Sequence, residues 1–301
     1  MKALEIQHLF KHYGDFQALS NVHLEIEEGD FFALLWENGA GKTTIIGILI
    51  DLVRKSSWKV KIFGVDIEKD FAKAKNFIGV VPQEFNLDIF SKVFDSLTIN
   101  AGYHGIPMQE AIPRAEELLK KLSLWEKKDN QVRELSGGMK RRLMIARALM
   151  HKPKLLILDE PTAWVDLNLR KSTRSFLQEL NAEGTTILLT THYLEEVEML
   201  CNTLAFINKG KIVEQTSKKN FFKKITQNRF EITLWKAIEQ VPECLKKYNW
   251  VLKSENTLVV QIDKKENLWD FFDVIKWENL EIQDIKNTTN ELEELFEKFT
   301  S

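Results

Sequence analysis

Residues 31–44 read Phe31-Phe32-Ala33-Leu34-Leu35-Trp36-Glu37-Asn38-Gly39-Ala40-Gly41-Lys42-Thr43-Thr44. The apolar run Phe31 to Leu35 predicts a buried strand, Asn38 to Thr44 a tight loop, and the apolar-rich stretch Ile45 to Leu52 a helix. A loop whose backbone N–H groups converge on phosphate needs glycines where side chains would block the approach. It also needs a lysine for the β and γ oxygens and a hydroxyl for magnesium. Gly39, Gly41, Lys42 and Thr43 supply these groups at the required spacing, with Asn38, Ala40 and Thr44 completing the loop. Trp36 stands where the pattern would open with glycine.

Two further apolar runs extend this reading. Leu155 to Leu158 ends in Asp159 and Glu160, and Thr186 to Leu189 ends in Thr190, Thr191 and His192. Buried strands with polar groups at their C-terminal ends describe a parallel sheet with its ligand site along that edge. Asp159 is then the acid that orders the shell of a bound Mg²⁺, and Glu160 the carboxylate that polarises an attacking water. Alternation in Ala3 to Ile6 and Val22 to Ile26 adds an antiparallel flank, and Gln109 to Leu122, with Pro113 near its start, is helical in period. After residue 217 the chain changes character. Lys218, Lys219, Lys223 and Lys224 lead into strands at Phe230 to Leu234 and Leu258 to Ile262, interleaved with helices near Lys236 to Lys247 and Leu268 to Ile275. A charged helix, Asn290 to Phe299, follows with Leu292, Leu295 and Phe299 on one face. The expected fold class is α/β: a P-loop NTPase parallel-sheet core with an antiparallel flank and a helical insertion (about 85–145) over residues 1–217, and a small α+β appendage over 218–301.

Composition narrows the function. The 301 residues carry 42 Lys and Arg against 44 Asp and Glu, so there is no global basic field for nucleic acid, and none is expected as a partner. Cys201 and Cys244 match no zinc pattern and are too few for a disulfide framework, so free cytosolic thiols are expected. Glu5, Gln7 and His8 interrupt any signal-peptide core. The longest apolar stretches fall far short of the roughly 20 residues that span a bilayer. Work at a membrane would require another subunit to do the spanning.

About twenty residues before Asp159 lies Leu135-Ser136-Gly137-Gly138-Met139-Lys140-Arg141-Arg142. Gly137 and Gly138 open a helix whose N-terminal N–H groups can face phosphate, with Ser136 as an added donor. With this signature between the phosphate loop and the Asp159 strand, and His192 beyond, the sequence resembles the ABC ATPase family over residues 1 to about 217. The resemblance implies ATP and Mg²⁺ as cofactors. It makes Gln83, in Val80-Val81-Pro82-Gln83, the residue that senses Mg²⁺ and the transmembrane partner, and it matches Asp166 to the D-loop. Tyr13 is implied as the ring stacked on adenine, although an ordinary buried tyrosine is the alternative. His192 is implied to contact the γ-phosphate and position water with Glu160. Catalysis would thus rest on Glu160, His192 and Gln83, and metal binding on Thr43, Gln83 and Asp159. The family further implies that Ser136, Gly137 and Gly138 cap nucleotide on an opposite subunit, so that two cassettes, identical or related, sandwich two ATP molecules. His8, His12, His23, His104 and His151 have no such placement.

The stretch Gln83 to Phe90, the segment Ala101 to Pro107 and the helix Glu291 to Phe296 look like the subfamily serving multidrug-type exporters. That implies an ATPase subunit, cytoplasmic and peripheral on the inner face of the cell membrane, working with a transmembrane permease. A soluble ABC ATPase of translation or DNA repair would show tandem cassettes or a long coiled-coil insertion, and one P-loop and one signature are present. A cassette that binds ATP with little hydrolysis is the third reading, favoured by Trp36 and opposed by Glu160 and His192.

Trp36, Trp58 and Trp164 all stand where this family usually has glycine or another small residue. An indole where the backbone wants φ > 0 or close approach costs about 1–3 kcal/mol per strained site. Glycine is scarce, 13 of 301 residues, while tryptophan reaches 8. Some bacterial lineages read UGA as glycine and others as tryptophan, so translation with the wrong table would produce this exchange. True tryptophans in a weakened ATPase are the alternative.

Overall fold

A computed structural model describes residues 1–36, 39–54, 59–161, 167–191, 193–223, 227–237, 248–263, 266–277 and 280–287. The chain divides into two compact units, Met1–Lys218 and Lys219–Ser301.

The first unit begins with two long strands, β1 (Lys2–Tyr13) and β2 (Phe16–Glu27), followed by β3 (Phe31–Trp36) and α1 (Lys42–Leu49). Short elements follow: β4 (Val60–Ile62), β5 (Val65–Asp66), α2 (Phe71–Lys75) and β6 (Ile78–Val81). Three helices come next, α3 (Val93–Tyr103), α4 (Met108–Lys121) and α5 (Gly137–Ala148). The unit continues through β7 (Leu155–Asp159), α6 (Leu167–Ala182), β8 (Thr186–Thr190), α7 (Leu194–Leu200), β9 (Thr203–Asn208) and β10 (Lys211–Ser217). A short helix, α8 (Lys218–Lys223), spans the division.

Six strands form one sheet in the order β10-β9-β3-β8-β7-β6, with every pair parallel except β10 with β9. Every residue of β3, β7 and β8 is buried, which explains why they are continuous apolar runs rather than alternating ones. A second, antiparallel sheet runs β2-β1-β4-β5, and here the pattern alternates, as in Val22, Leu24 and Ile26. One core joins them: Leu4, Ile6 and Leu24 pack with Phe32, Leu34 and Ile157 and with Ile45, Ile48 and Leu49 of α1. Each such side chain contributes about 1.5–3 kcal/mol by leaving water.

The helix after the phosphate loop is shorter than its apolar pattern suggests. It stops at Leu49 because Leu52 and Val53 donate to the Gly47 carbonyl and close a turn, with Asp51 at φ +59° and Leu52 left 79% exposed. Pro113 lies inside α4, whose buried face is Ala111, Ala115, Leu118 and Leu119. In α5, Ser136 is the N-cap and accepts from the Met139 N–H.

The second unit is a four-stranded antiparallel sheet, in the order β12-β13-β11-β14, built from β11 (Gln227–Leu234), β12 (Asn249–Ser254), β13 (Thr257–Asp263) and β14 (Ile282–Asn287). Helix α9 (Leu268–Trp277) packs Phe271 and Ile275 onto Ile232, Leu258, Val260 and Ile262. Most of the helix expected near Lys236 to Lys247, and all of that at Asn290 to Phe299, lies outside the described residues.

Candidate nucleotide site

The C-terminal edge of the parallel sheet carries the site. A cavity of about 390 Å³ is lined by Tyr13, Phe16, Ala18, Trp36, the loop residues Gly39 to Thr44, Gln83 and Glu160. That volume lies within the range of small-molecule sites. Gly39 and Gly41 take φ of +81° and +100°, and a Cβ on Gly41 would lie 2.9 Å from the Ala18 carbonyl oxygen. Only glycine fits there. The turn between β9 and β10 anchors the loop from behind, because Gly210 N–H donates to the Ala40 carbonyl and the Gly210 carbonyl accepts from Ser20 N–H. Helix α1 starts directly after Gly41 with no side-chain cap and no acidic residue in its first turn, so its N-terminal donors and partial positive charge face the cavity unneutralised.

Lys42, only 7% exposed, places Nζ 3.0 Å from Asp159 Oδ1 and 2.9 Å from Glu160 Oε1. The three residues converge from one loop and one strand end. Thr43 lies on the exposed side of the same turn. A hydroxyl, an amide and one carboxylate at Thr43, Gln83 and Asp159 suit Mg²⁺, which keeps several waters and shares its shell with phosphate oxygens. Among the described residues no group of three or more His, Cys, Asp or Glu could hold a metal by itself.

Trp36 departs from the expectation in an instructive way. It is the last rung of β3, paired with Ile207 in strand geometry, and it is absent from the residues with positive φ, so the backbone strain expected at position 36 is not found. Its indole instead takes up space in the cavity, with Lys42 Nζ 4.0 Å from the ring centroid. Such a contact is worth about 0.5–2 kcal/mol and competes for the lysine. Trp58 and Trp164 lie outside the described residues, as do Asn38, Asp166 and His192.

Tyr13 ends β1 half exposed, which removes the reading of an ordinary core tyrosine. Phe16, the aromatic ring two residues beyond Gly14, shares the cavity lining with it and was not anticipated. The signal was the placement of two aromatics astride one hairpin turn. Gln83 lines the cavity, and its segment is held by α5: Arg141, 3% exposed, donates to the carbonyls of Pro82 and Gln83, and Arg147 donates to the backbone and side-chain oxygens of Asn86. Burial pushes the Arg141 guanidinium pKa down, while the charges of Asp159 and Glu160 pull it back up. Ser136, Gly137 and Gly138 do not line this cavity. Of the remaining histidines, His104 and His151 stack at 3.9 Å, and His8 and His23 share Asn21 as a partner. Neither pair lines the cavity. Cys201 is buried and free, and burial pushes its thiol pKa up.

A parallel α/β sheet with a glycine-rich loop feeding a helix N-terminus, and a Lys42–Asp159–Glu160 cluster at its edge, defines a P-loop nucleotide-binding protein. The sequence profile of the family described as ABC transporter matches residues 19–163. The Nod factor export ATP-binding protein I of Cupriavidus metallidurans is 41% identical over 212 residues, covering 70% of each chain. The linearmycin resistance ATP-binding protein of Bacillus subtilis is 38% identical, covering 70% of this chain and 68% of the relative. Among solved structures, the ATP-binding subunit of an ABC transporter superposes with a TM-score of 0.68 at 25% identity, covering 74% of this chain and 92% of the other. A dimeric bacterial ABC transporter cassette does so with 0.65 at 26%, covering 71% and 98%. The chain belongs to the ABC transporter family and is an ATPase cassette of it.

Proposed function

We propose that the chain is the ATP-binding and ATP-hydrolysing subunit of a membrane exporter, in which ATP-driven association of two cassettes drives transport through a separate transmembrane permease. The observation that carries this reading is the convergence of Lys42 on Asp159 and Glu160 at the mouth of the glycine loop. Relatives whose names specify export and resistance support the exporter class.

In this reading the N–H groups of residues 39–44 hold the phosphates, and Tyr13, with Phe16 beside it, takes the adenine. Thr43, Asp159 and Gln83 hold Mg²⁺, which when bound neutralises charge on the β and γ oxygens. The Lys42 ammonium exchanges its two carboxylate partners for phosphate oxygens. Glu160, released, accepts the proton of a water whose oxygen bonds to the γ-phosphorus as the bond to the bridging oxygen of ADP breaks. His192 steadies that water and the γ-phosphate. Ser136, Gly137, Gly138 and Asp166 serve the nucleotide of a second cassette, a homodimer or heterodimer partner. The acid-free start of α5, which Ser136 caps, and its absence from the chain's own cavity lining support this.

The unit Met1–Lys218 is the catalytic one, with residues 85–145 as its helical insertion, and the segment 218–301 is an appendage outside it. Exposed Phe85, Phe90, Ile99 and Tyr103, on the segment after Gln83 and on α3, support docking of a permease and a peripheral place on the inner membrane face. No helix among the described residues is long and apolar enough to cross a membrane. The decisive experiment is Glu160→Gln: ATP still binds and turnover is lost, while the parental chain co-purifies with a polytopic membrane protein. A Glu160→Gln chain that turns over at the parental rate overturns the assignment. The indole over Lys42 favours a second reading, a cassette that binds ATP and hydrolyses it slowly.

A further inference from the structure

The strand end facing the two carboxylates carries a hydroxyl that has no part in the mechanism above. Thr190 closes β8, lies opposite Asp159 in parallel register and is fully buried. Its hydroxyl donates to Asp159 Oδ1 at 2.5 Å, with the Leu158 carbonyl a longer second acceptor at 3.2 Å, and accepts from the Glu160 N–H at 3.3 Å. The same N–H donates to the Thr190 carbonyl at 3.1 Å. Lys42 Nζ reaches the same Asp159 oxygen, so two donors fix that carboxylate. Glu160 sits at φ +47°, in the left-handed region that side chains other than glycine rarely adopt. Such a conformation persists only where its surroundings over-determine it, and Thr190 supplies part of that restraint.

We infer that Thr190 is a positioning residue for hydrolysis, an inference that rests on the roles proposed for Asp159 and Glu160. Its hydroxyl sets the Asp159 carboxylate toward the metal shell and holds the left-handed turn that separates Glu160 from it. Neither bond touches nucleotide, so ATP affinity is independent of the hydroxyl while turnover and metal retention are not. Valine removes every bond of the hydroxyl at nearly constant volume, and serine keeps them.

The test compares the full-length parental chain with Thr190→Val, Thr190→Ser and Glu160→Gln. The readouts are steady-state hydrolysis across a Mg²⁺ titration, ATP affinity by fluorescent nucleotide, and Mn²⁺ affinity in the presence of ADP by electron paramagnetic resonance. Loss of a charge-assisted bond predicts that Thr190→Val lowers kcat about tenfold. It also raises the half-saturating Mg²⁺ concentration, weakens Mn²⁺ retention and leaves ATP affinity unchanged. Thr190→Ser recovers all three. If Thr190→Val matches the parent while Glu160→Gln is inactive, the Thr190 role is overturned and the site reading stands. If Glu160→Gln hydrolyses like the parent, the site reading itself fails. If Thr190→Val no longer binds ATP, or serine does not restore turnover, the hydroxyl is merely structural and the inference falls.

Discussion

Arg141 holds Gln83 by its backbone: one guanidinium spans the Pro82 and Gln83 carbonyls at 2.6 and 2.7 Å, tying the helix that starts at Gly137 to the cavity wall. Replacing it with methionine leaves two carbonyls without their partner, at about 1–3 kcal/mol each. Arg141→Met is expected to melt several degrees lower and to lose turnover by more than it loses ATP affinity, because Gln83 is displaced while residues 39–44 are not. Differential scanning calorimetry and steady-state kinetics on one preparation check both, and Arg141→Met with parental turnover would remove any role for the tie.

Lys42→Ala is expected to weaken ATP binding about 10- to 100-fold, the worth of one charge-assisted bond to phosphate. Titration calorimetry reads this directly. The same variant leaves Asp159 and Glu160 facing each other without their shared cation, so its melting temperature should fall as well. Unchanged ATP affinity would count against the P-loop assignment.

Trp36→Gly is expected to raise ATP affinity and turnover, since it clears the indole from the cavity and frees Lys42 from the ring. Turnover of the triple variant Trp36→Gly, Trp58→Gly, Trp164→Gly should exceed that of the chain as written. Equal rates would show that the indoles are tolerated. The gene separates the two accounts of these residues: UGA codons at 36, 58 and 164 support glycine in the cell, and UGG codons exclude it.

His151 has its pKa lowered to about 4, first by burial and then by the charge of His104, against an opposing hydrogen bond to the Ile78 carbonyl, with Lys75 adding a smaller push down. Arg147 lines the same pocket, so no anion among these groups compensates a second proton. A base whose folded pKa lies below its unfolded value near 6.5 favours the native state above pH 6.5, and that preference is lost as pH falls from 6.5 toward 4. His151→Gln keeps a donor for Ile78 and removes the titration. The drop in melting temperature between pH 7 and pH 4.5 should therefore be smaller in the variant than in the parent, and equal drops would assign the acid sensitivity elsewhere.

The parallel core was legible because strands buried on both faces leave unbroken apolar runs, as at Phe31 to Leu35 and Leu155 to Leu158. Helix α4 was legible from its period. The convergence of Lys42 with Asp159 and Glu160 was legible too, since strand C-terminal ends share one edge. Arg141 was not: within Lys140-Arg141-Arg142 it reads as part of a solvated basic face, yet Arg141 and Arg142 are 3% and 8% exposed and donate to backbone carbonyls distant in sequence. Thr190 was equally silent, because a threonine at a strand end has many ordinary uses, and only the register opposite Asp159 gives it a role. Trp36 misled in one respect: the strand absorbs its backbone, and what it changes is the space beside Lys42.

The strand order has a consequence for how the protein is made. Among the described residues β3 pairs only with β8 and β9, Phe31 opposite Ile187 and Phe32 opposite Thr203, so more than 150 residues separate the partners. As the chain leaves the ribosome, the apolar hexapeptide Phe31–Trp36 has no partner strand until β8 has emerged, and its pairing is complete only once residues through 207 follow. At 5–20 residues per second the first partner arrives after roughly eight to thirty seconds. The loop is pinned from behind by Gly210, later still. A nascent fragment that stalls before β8 exposes this apolar strand to chaperones or to its neighbours.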